Sequence, residues 1–425
     1  MGILSRLWSR LVILFIGKPP GKIIKKWEFK AGGAILNSAT ISDIDNDGHM
    51  EIIIGTSKGK IFVLSAKGKV KWEGSLKKEI SGVNLMFLDE KTVNSIIASP
   101  VILKSKGKII IVACSASGIV KAFHGDGRSF WEFKIQGIIF GTPLCADVNN
   151  DGEKEIIFGT SDHYLYAITN CGKLLWKYCA KSPITSSPGF YEDKPKLILF
   201  GTDNGFLKAV SINGKFRWKF KTKGKITARP VISDIFNDKH KRIIVGSTDK
   251  SLYVLNKLGK LDWEYKTHGE IFSHVTIGDV DKDKDKEIFF GAGDDKIYAL
   301  APNSQKIWSY ETDFWVVTSP IITDINGDGT NEIVVGSYDK SVYVLEGKGT
   351  FALNYMPGLS IIASLPGHFT PFITSQPGEL VGKRLWKIRL GSMVTGLNVI
   401  GSKNLPTQVI VSTKGGKLYC LGHEK

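Results

Sequence analysis

The chain has 425 residues, 42% of them apolar and 23% charged, a balance that supports a folded core and excludes a disordered chain. No run approaches the ~18–20 consecutive apolar residues of a spanning helix, which excludes a polytopic helical membrane protein. The formal net charge of +16 comes from 57 basic and 41 acidic residues. The lysines are spread along the whole chain, and no recognised nucleic-acid motif accompanies them, so nucleic acid is not expected as a partner.

Residues 1–17 stand apart from the rest. Ile3, Leu4, Leu7, Trp8, Leu11, Val12, Leu14 and Phe15 recur near helical spacing, with Ser5, Arg6, Ser9 and Arg10 on the opposite stripe. This pattern predicts a short amphipathic helix with basic residues, suited to an anionic membrane surface. A signal segment and a helix packed on the following domain are the alternatives. Residues 18–21, with Pro19, Pro20 and Gly21, form a spacer. A membrane-associated or extracytoplasmic location follows from the anchor reading.

From residue 22 onward the chain repeats. Trp27, Trp72, Trp131, Trp176, Trp218, Trp263 and Trp308 are separated by 45, 59, 45, 42, 45 and 45 residues. Most follow a Gly-Lys-apolar-x-Trp run, as in Gly172-Lys173-Leu174-Leu175-Trp176. Each period holds four short β-branched or aromatic pieces. In the first these are Ala34 to Ser42, Glu51 to Gly55, Lys60 to Leu64 and Lys69 to Glu73. Four strands per ~45 residues predict a propeller blade. The expected fold is all-β: a single β-propeller at 22–425 with eight four-stranded blades. Residues 354–385 form an insertion or a degenerate blade. Counting that stretch as a blade gives nine, and discarding the poorly matching second unit gives seven. Trp386 is taken to open the last unit, which ends on a third strand at Lys417 to Leu421. The orphan strand from Ile23 to Lys30 is expected to complete that unit and close a monomeric ring. The five cysteines form no CxxC pair, which argues against a zinc or redox motif.

Four units carry the same nine-residue loop between their first and second strands. Oxygen-bearing side chains occupy positions one, three, five and nine. They are Asp43, Asp45, Asp47 and Glu51; Asp147, Asn149, Asp151 and Glu155; Asp279, Asp281, Asp283 and Glu287; and Asp324, Asn326, Asp328 and Glu332. Alternate oxygens in a tight loop converge on one point, the donor set that a hard cation such as Ca²⁺ requires. In the third of these loops Lys284 replaces the glycine at position six, which weakens the expectation there. A fifth unit has Asp234, Asn237 and Asp238 but carries Arg242 at the Glu position, where a guanidinium would replace the cation. The loops therefore read as structural Ca²⁺ sites. The alternative is an Asp-rich turn that bonds only its own backbone.

The Gly-Lys-x-x-Trp run resembles the Trp-docking repeat of quinoprotein-like (PQQ-like) propellers. The Asp-x-Asp-x-Asp-Gly loops resemble the FG-GAP and VCBS repeats of integrin-type propellers. That resemblance raises a quinone-dependent dehydrogenase. Such enzymes set a vicinal disulfide beside the quinone, and this chain has no adjacent cysteines. Gly55-Thr56-Ser57-Lys58-Gly59 matches the G-x-S-x-G nucleophile pattern but joins two strands, where a nucleophile elbow needs a strand-to-helix turn. Of the scattered histidines, His268 and His274 read as loop and strand residues rather than ligands. No catalytic or cofactor-binding residue is assigned. Lys215, Arg217, Lys219, Lys221, Lys223, Lys225 and Arg229 crowd one link as a basic face. The expected function is a non-enzymatic, Ca²⁺-binding scaffold for a protein partner. A quinone- or sugar-dependent enzyme using the central funnel and a polyanion-binding module are the alternatives.

Overall fold

The computed structural model describes residues 22–76, 93–105, 107–351, 380–402 and 405–424. The predicted helix at 1–17, the spacer at 18–21 and most of the stretch 354–385 lie outside them. Within them, short β-branched and aromatic runs punctuated by Gly, Asn and Asp turns form strands throughout. The strands build eight antiparallel four-stranded sheets. Blade 1 runs Thr40–Ser42, Glu51–Gly55, Lys60–Ser65 and Val70–Ser75. Blades 2 to 8 open with Val101–Ser105, Leu144–Ala146, Gly189–Tyr191, Val231–Ser233, Thr276–Gly278, Ile321–Thr323 and Val394–Ser402. The fold is an eight-bladed β-propeller, and the counts of seven and nine are not realised. Ile23–Lys30 is the outer strand of blade 8. It pairs antiparallel with Lys417–His423 from Ile23 opposite His423 to Lys30 opposite Lys417, and so closes the ring.

One expected boundary is corrected. Trp386 lies on Arg384–Arg389, which pairs with Ser341–Glu346 and is therefore the fourth strand of blade 7 rather than the start of the last unit. Between those strands the chain makes a two-stranded pair, Thr350–Phe351 with Leu380–Val381. A step of one period from Trp308 lands in this inserted stretch, because a connection between two strands carries no repeat of its own.

The core is distributed as wedges. Each of the eight buried apolar clusters draws residues from two neighbouring blades. Ile52, Ile54 and Leu64 of blade 1, for example, pack with Ile410, Leu418 and Cys420 of blade 8. The second strands Glu51–Gly55 and Glu155–Gly159 are buried along their whole length. Outer strands alternate, with one side against the neighbouring blade and the other in solvent.

The recurring tryptophan joins each wedge at its outer edge. The ring of Trp131 lies on Gly172 of the next blade, where φ is +76° and an added Cβ would stand 2.6 Å from the indole. Its Nε1–H donates to the carbonyl of Asn170 at 2.7 Å. Trp27, Trp72, Trp218 and Trp308 donate likewise to Ala66, Gly125, Lys257 and Gly347. The indoles of Trp176 and Trp263 reach no acceptor. Inside the ring, Gly159 leaves room for Ile184 of the following link, which an added Cβ would approach to 2.1 Å. Trp308 is fully buried, so Trp308→Ala should cost about 3–5 kcal/mol in denaturant unfolding. Trp131→Phe should cost about 1 kcal/mol more than Trp176→Phe, the net worth of one hydrogen bond. Equal costs would show that the indole bond adds nothing to the packing.

Candidate functional site

In an antiparallel meander the first and third turns of every blade share one face of the ring, and the second turns and blade-to-blade links share the other. The carboxylate loops therefore ring one face. In all four, the Glu at position nine is buried and accepts the backbone N–H of position two. These bonds are Ile44 to Glu51, Val148 to Glu155, Val280 to Glu287 and Ile325 to Glu332, at 2.9–3.0 Å. The Asp at position one accepts the N–H of position six, as from Gly48 to Asp43 and from Lys284 to Asp279. Positions four and six both adopt positive φ: Asn46 and Gly48, Asn150 and Gly152, Lys282 and Lys284, Gly327 and Gly329. Lys284 thus keeps the shared loop shape in a conformation that favours glycine.

The loops differ in what faces their free oxygens. In blade 1 the ammonium of Lys71 lies 2.7 Å from Asp45, 2.6 Å from Glu51 and 3.7 Å from Asp47. Burial works against the Lys71 charge, but the two nearest carboxylates outweigh it and raise its pKa. The hydrogen bond from Lys71 holds Asp45 below the usual carboxylate range. In blades 3 and 7 the amide Nδ2 of the Asn at position three donates to both neighbours. Asn149 reaches Asp151 and Glu155, and Asn326 reaches Asp328 and Glu332. In blade 6 position three is Asp281, which has no donor to offer. Oxygens of Asp279, Asp281 and Glu287 lie within 4.8 Å of one another, as do those of Asp43, Asp45 and Glu51. Among the described residues no basic side chain pairs with the blade 6 carboxylates; Lys348 reaches only the backbone carbonyl of Asp281, at 3.5 Å. Burial, reinforced by Asp281 and Asp283, lifts Glu287 to a pKa of about 7, and burial with Asp328 and Asp324 does the same for Glu332. Burial also raises Glu155. In blade 5 Arg242 grips Asp238 through two 2.8 Å bonds and reaches Asp262 at 3.3 Å. Its hydrogen bonds hold Asp238 at about 2.

Other sequence candidates resolve into structure. Ser57 sits in a strand-to-strand turn, and its hydroxyl accepts the backbone N–H of Ala34. Ser161 and Thr248 repeat that latch with Ile138 and Lys225. Lys219 and Lys221 of the basic link lie over the Phe206 ring, at 4.9 and 4.7 Å. Arg229 leaves that face altogether and enters the ring's axial cavity, as does His274. Sequence reasoning missed both as channel residues. The available signal was their place in the repeat: each stands three residues after a buried Ile of the link, Ile226 or Ile271, where other blades carry Ser38, Ser99, Thr142, Ser187 and Ser319.

The outer strands show a further asymmetry. Val70, Leu174, Phe216 and Leu261 each stand two residues before the blade tryptophan and are 46–48% exposed, and Phe130, one residue before its tryptophan, is 41% exposed. Each apolar site closely follows an exposed basic residue at the turn: Lys69, Arg128, Lys173, Lys215 or Lys260. The row covers blades 1 to 5. In blades 6 to 8 the position two before the tryptophan is Lys306, Arg384 or Lys25.

The family model of the lambda-carrageenase beta-propeller domain matches residues 110–201, 197–277 and 268–356, which together span more than half of the chain. Over 68 residues, 16% of this chain, the sequence is 31% identical to lambda-carrageenase of Pseudoalteromonas carrageenovora, and that stretch spans 7% of the relative's length. BamB from Moraxella catarrhalis is similar with a TM-score of 0.64 at 13% identity, over 94% of this chain and all of that one. A europium-containing methanol dehydrogenase gives 0.63 at 12%, over 94% and 93%. At such identities these structures share the fold and do not select a function. The resemblance to quinoprotein-like and FG-GAP repeats holds at the level of the propeller; the family whose model matches is another.

His274 supplies a pH prediction. Desolvation by the channel wall, to which the ring stays open, with Arg229 beside it, lowers its pKa from 6.5 to about 4. The unfolded imidazole takes up a proton before the folded one does, so this group removes stability as pH falls from about 6.5 toward 4. His274→Gln should lose less of its melting temperature than the wild type across that range. Parallel profiles would rule the assignment out.

Proposed function

The chain belongs to the lambda-carrageenase β-propeller domain family, and from that premise we propose that it is a non-catalytic scaffold docking an acidic protein surface on its outer strands. The observation that carries this reading is the row of exposed apolar side chains over blades 1 to 5, each close behind a basic residue at the turn. A one-sided strip of that composition suits a partner that presents apolar side chains among carboxylates. Leu174→Asp, Phe216→Asp and Leu261→Asp combined should leave folding nearly unchanged, because exposed positions tolerate substitution. The triple variant should lose the partner recovered by cross-linking pull-down with the wild type; equal recovery overturns the reading. The family favours one competing reading, action on a polysaccharide. A wild-type preparation that lowers the viscosity of lambda-carrageenan would replace the scaffold with an enzyme.

The rim loops carry the second part of the proposal, divalent cations that stiffen the ring. Blade 6 offers the best donor set, since Asp279, Asp281 and Glu287 converge and, among the described residues, no basic side chain pairs with their carboxylates. In blades 3 and 7 a half-turn of the Asn149 or Asn326 amide would present oxygen instead of nitrogen. In blade 1 Lys71 does the work of the cation. This ordering departs from the expectation drawn from the glycine at position six, because position three and the strand facing it determine the local charge. Added Ca²⁺ should raise the melting temperature and a chelator should lower it, by mass action on the folded state. Without Ca²⁺, Lys71→Met should cost about 1.5–3 kcal/mol, the range for a hydrogen bond to a charged group. With Ca²⁺ it should recover more than the wild type gains. An unchanged midpoint in both proteins removes metal from the account.

A further inference from the structure

Two cavities meet at Arg229 inside the ring. The first, about 500 Å³, opens among the blade-to-blade links and is lined by Thr142, Ser187, Ser273, His274 and Trp315 among others. The second, about 550 Å³, lies among the inner strands of blades 1 to 3, with Lys104 and Lys154 in its wall. Arg229 belongs to both linings, so its side chain reaches from blade 5 across the axis and divides the channel. Neither lining contains an Asp or a Glu. Among the described residues no carboxylate pairs with this guanidinium, which stays open to the channel while the surrounding wall lowers its pKa. An arginine keeps its charge in such a setting, so the channel carries an unpaired positive group.

The hydroxyls around it are set to donate. Thr142 Oγ1 accepts the N–H of Ser99 at 3.3 Å, and Ser187 Oγ accepts the N–H of Thr142 at 2.8 Å. Each oxygen is thus occupied as an acceptor from the link backbone, and its own proton remains to be given. The hydroxyls of Thr227 and Ser273, residues of the first cavity's lining, are buried without any partner, and Ser273 is only 5% exposed. Buried hydroxyls without partners are rare enough to require an explanation.

We propose that the axial channel is a binding site for a tetrahedral oxyanion, a phosphate or sulfate group, held by the Arg229 guanidinium and the hydroxyls of Thr142, Ser187, Thr227 and Ser273. The donors come from four successive blades, 3 to 6, and approach the axis from different sides. The guanidinium fork and four hydroxyls offer more donor hydrogens than the roughly four lone-pair sites of a carboxylate take, whereas the four oxygens of a tetrahedral anion accept them all. The guanidinium fork supplies two parallel donors to one edge of the anion.

The test uses the whole chain with inorganic phosphate as probe, without added calcium and with chloride holding ionic strength constant. Phosphorus NMR of phosphate should broaden on adding the wild-type protein, and sulfate should reverse the broadening by competition. Arg229→Gln should weaken binding at least tenfold, while the rim variant Lys223→Gln should leave it unchanged. Arg229→Gln should fold, since it removes an unpaired charge; its far-ultraviolet dichroism and melting temperature report this directly. Ser187→Ala, which keeps the arginine, should weaken binding several-fold and guards against a folding defect at position 229. Equal broadening by wild type and Arg229→Gln, or equal loss in Lys223→Gln, would overturn the channel site in favour of general attraction to a basic surface.

Discussion

Everything in this ring depends on the contact between one blade's tryptophan and the next blade's glycine turn. A single four-stranded sheet has two faces to cover and cannot cover either alone. The indole, in six places laid on a left-handed glycine and in five bonded to a carbonyl of the next blade, fixes how far apart two sheets stand at their outer edge. At the inner edge Gly159 and its equivalents admit an isoleucine or valine of the link that sets the same spacing. Between these limits each apolar cluster fills one gap between two blades. Because the spacing is fixed at both edges, the loops on either face are held in register, and local charge differences acquire meaning.

The rim illustrates this. All four carboxylate loops share one backbone, down to positive φ at positions four and six. They diverge only in what satisfies their oxygens: a lysine from the outer strand in blade 1, a side-chain amide in blades 3 and 7, and, among the described residues, no basic side chain on the carboxylates of blade 6. Blade 5 substitutes an arginine from position nine itself. One architectural demand, that clustered negative charge be balanced, is met by different chemistry around the circle.

The fold was legible because its defining contact is periodic. Tryptophan spacing and glycine turns marked each blade, and the unpaired strand at Ile23–Lys30 announced the closure. The misplacement of Trp386 had a physical source: an inserted stretch between the third and fourth strands of blade 7 moves the fourth strand along the sequence without moving it in space. The charge partners were less legible. Lys71 sits 20 residues from Glu51, and only the pairing of blade 1 brings its ammonium to that carboxylate. Arg229 read as one member of a basic run, whereas its neighbours Lys219 and Lys221 point outward and it alone turns to the axis. Proximity across a ring is a property of closure, and no window of sequence contains it.

The pairing of Ile23–Lys30 with Lys417–His423 ties the first strand of the ring in chain order to its last. At ribosomal rates of roughly 5–20 residues per second, the first strand waits tens of seconds before its mate leaves the exit tunnel. Until that strand emerges, blade 8 is incomplete and two raw sheet margins stand open to any extended peptide nearby. The interval between birth and closure is thus the moment at which this molecule is most exposed to mispairing, and a nascent-chain chaperone would have its greatest effect there.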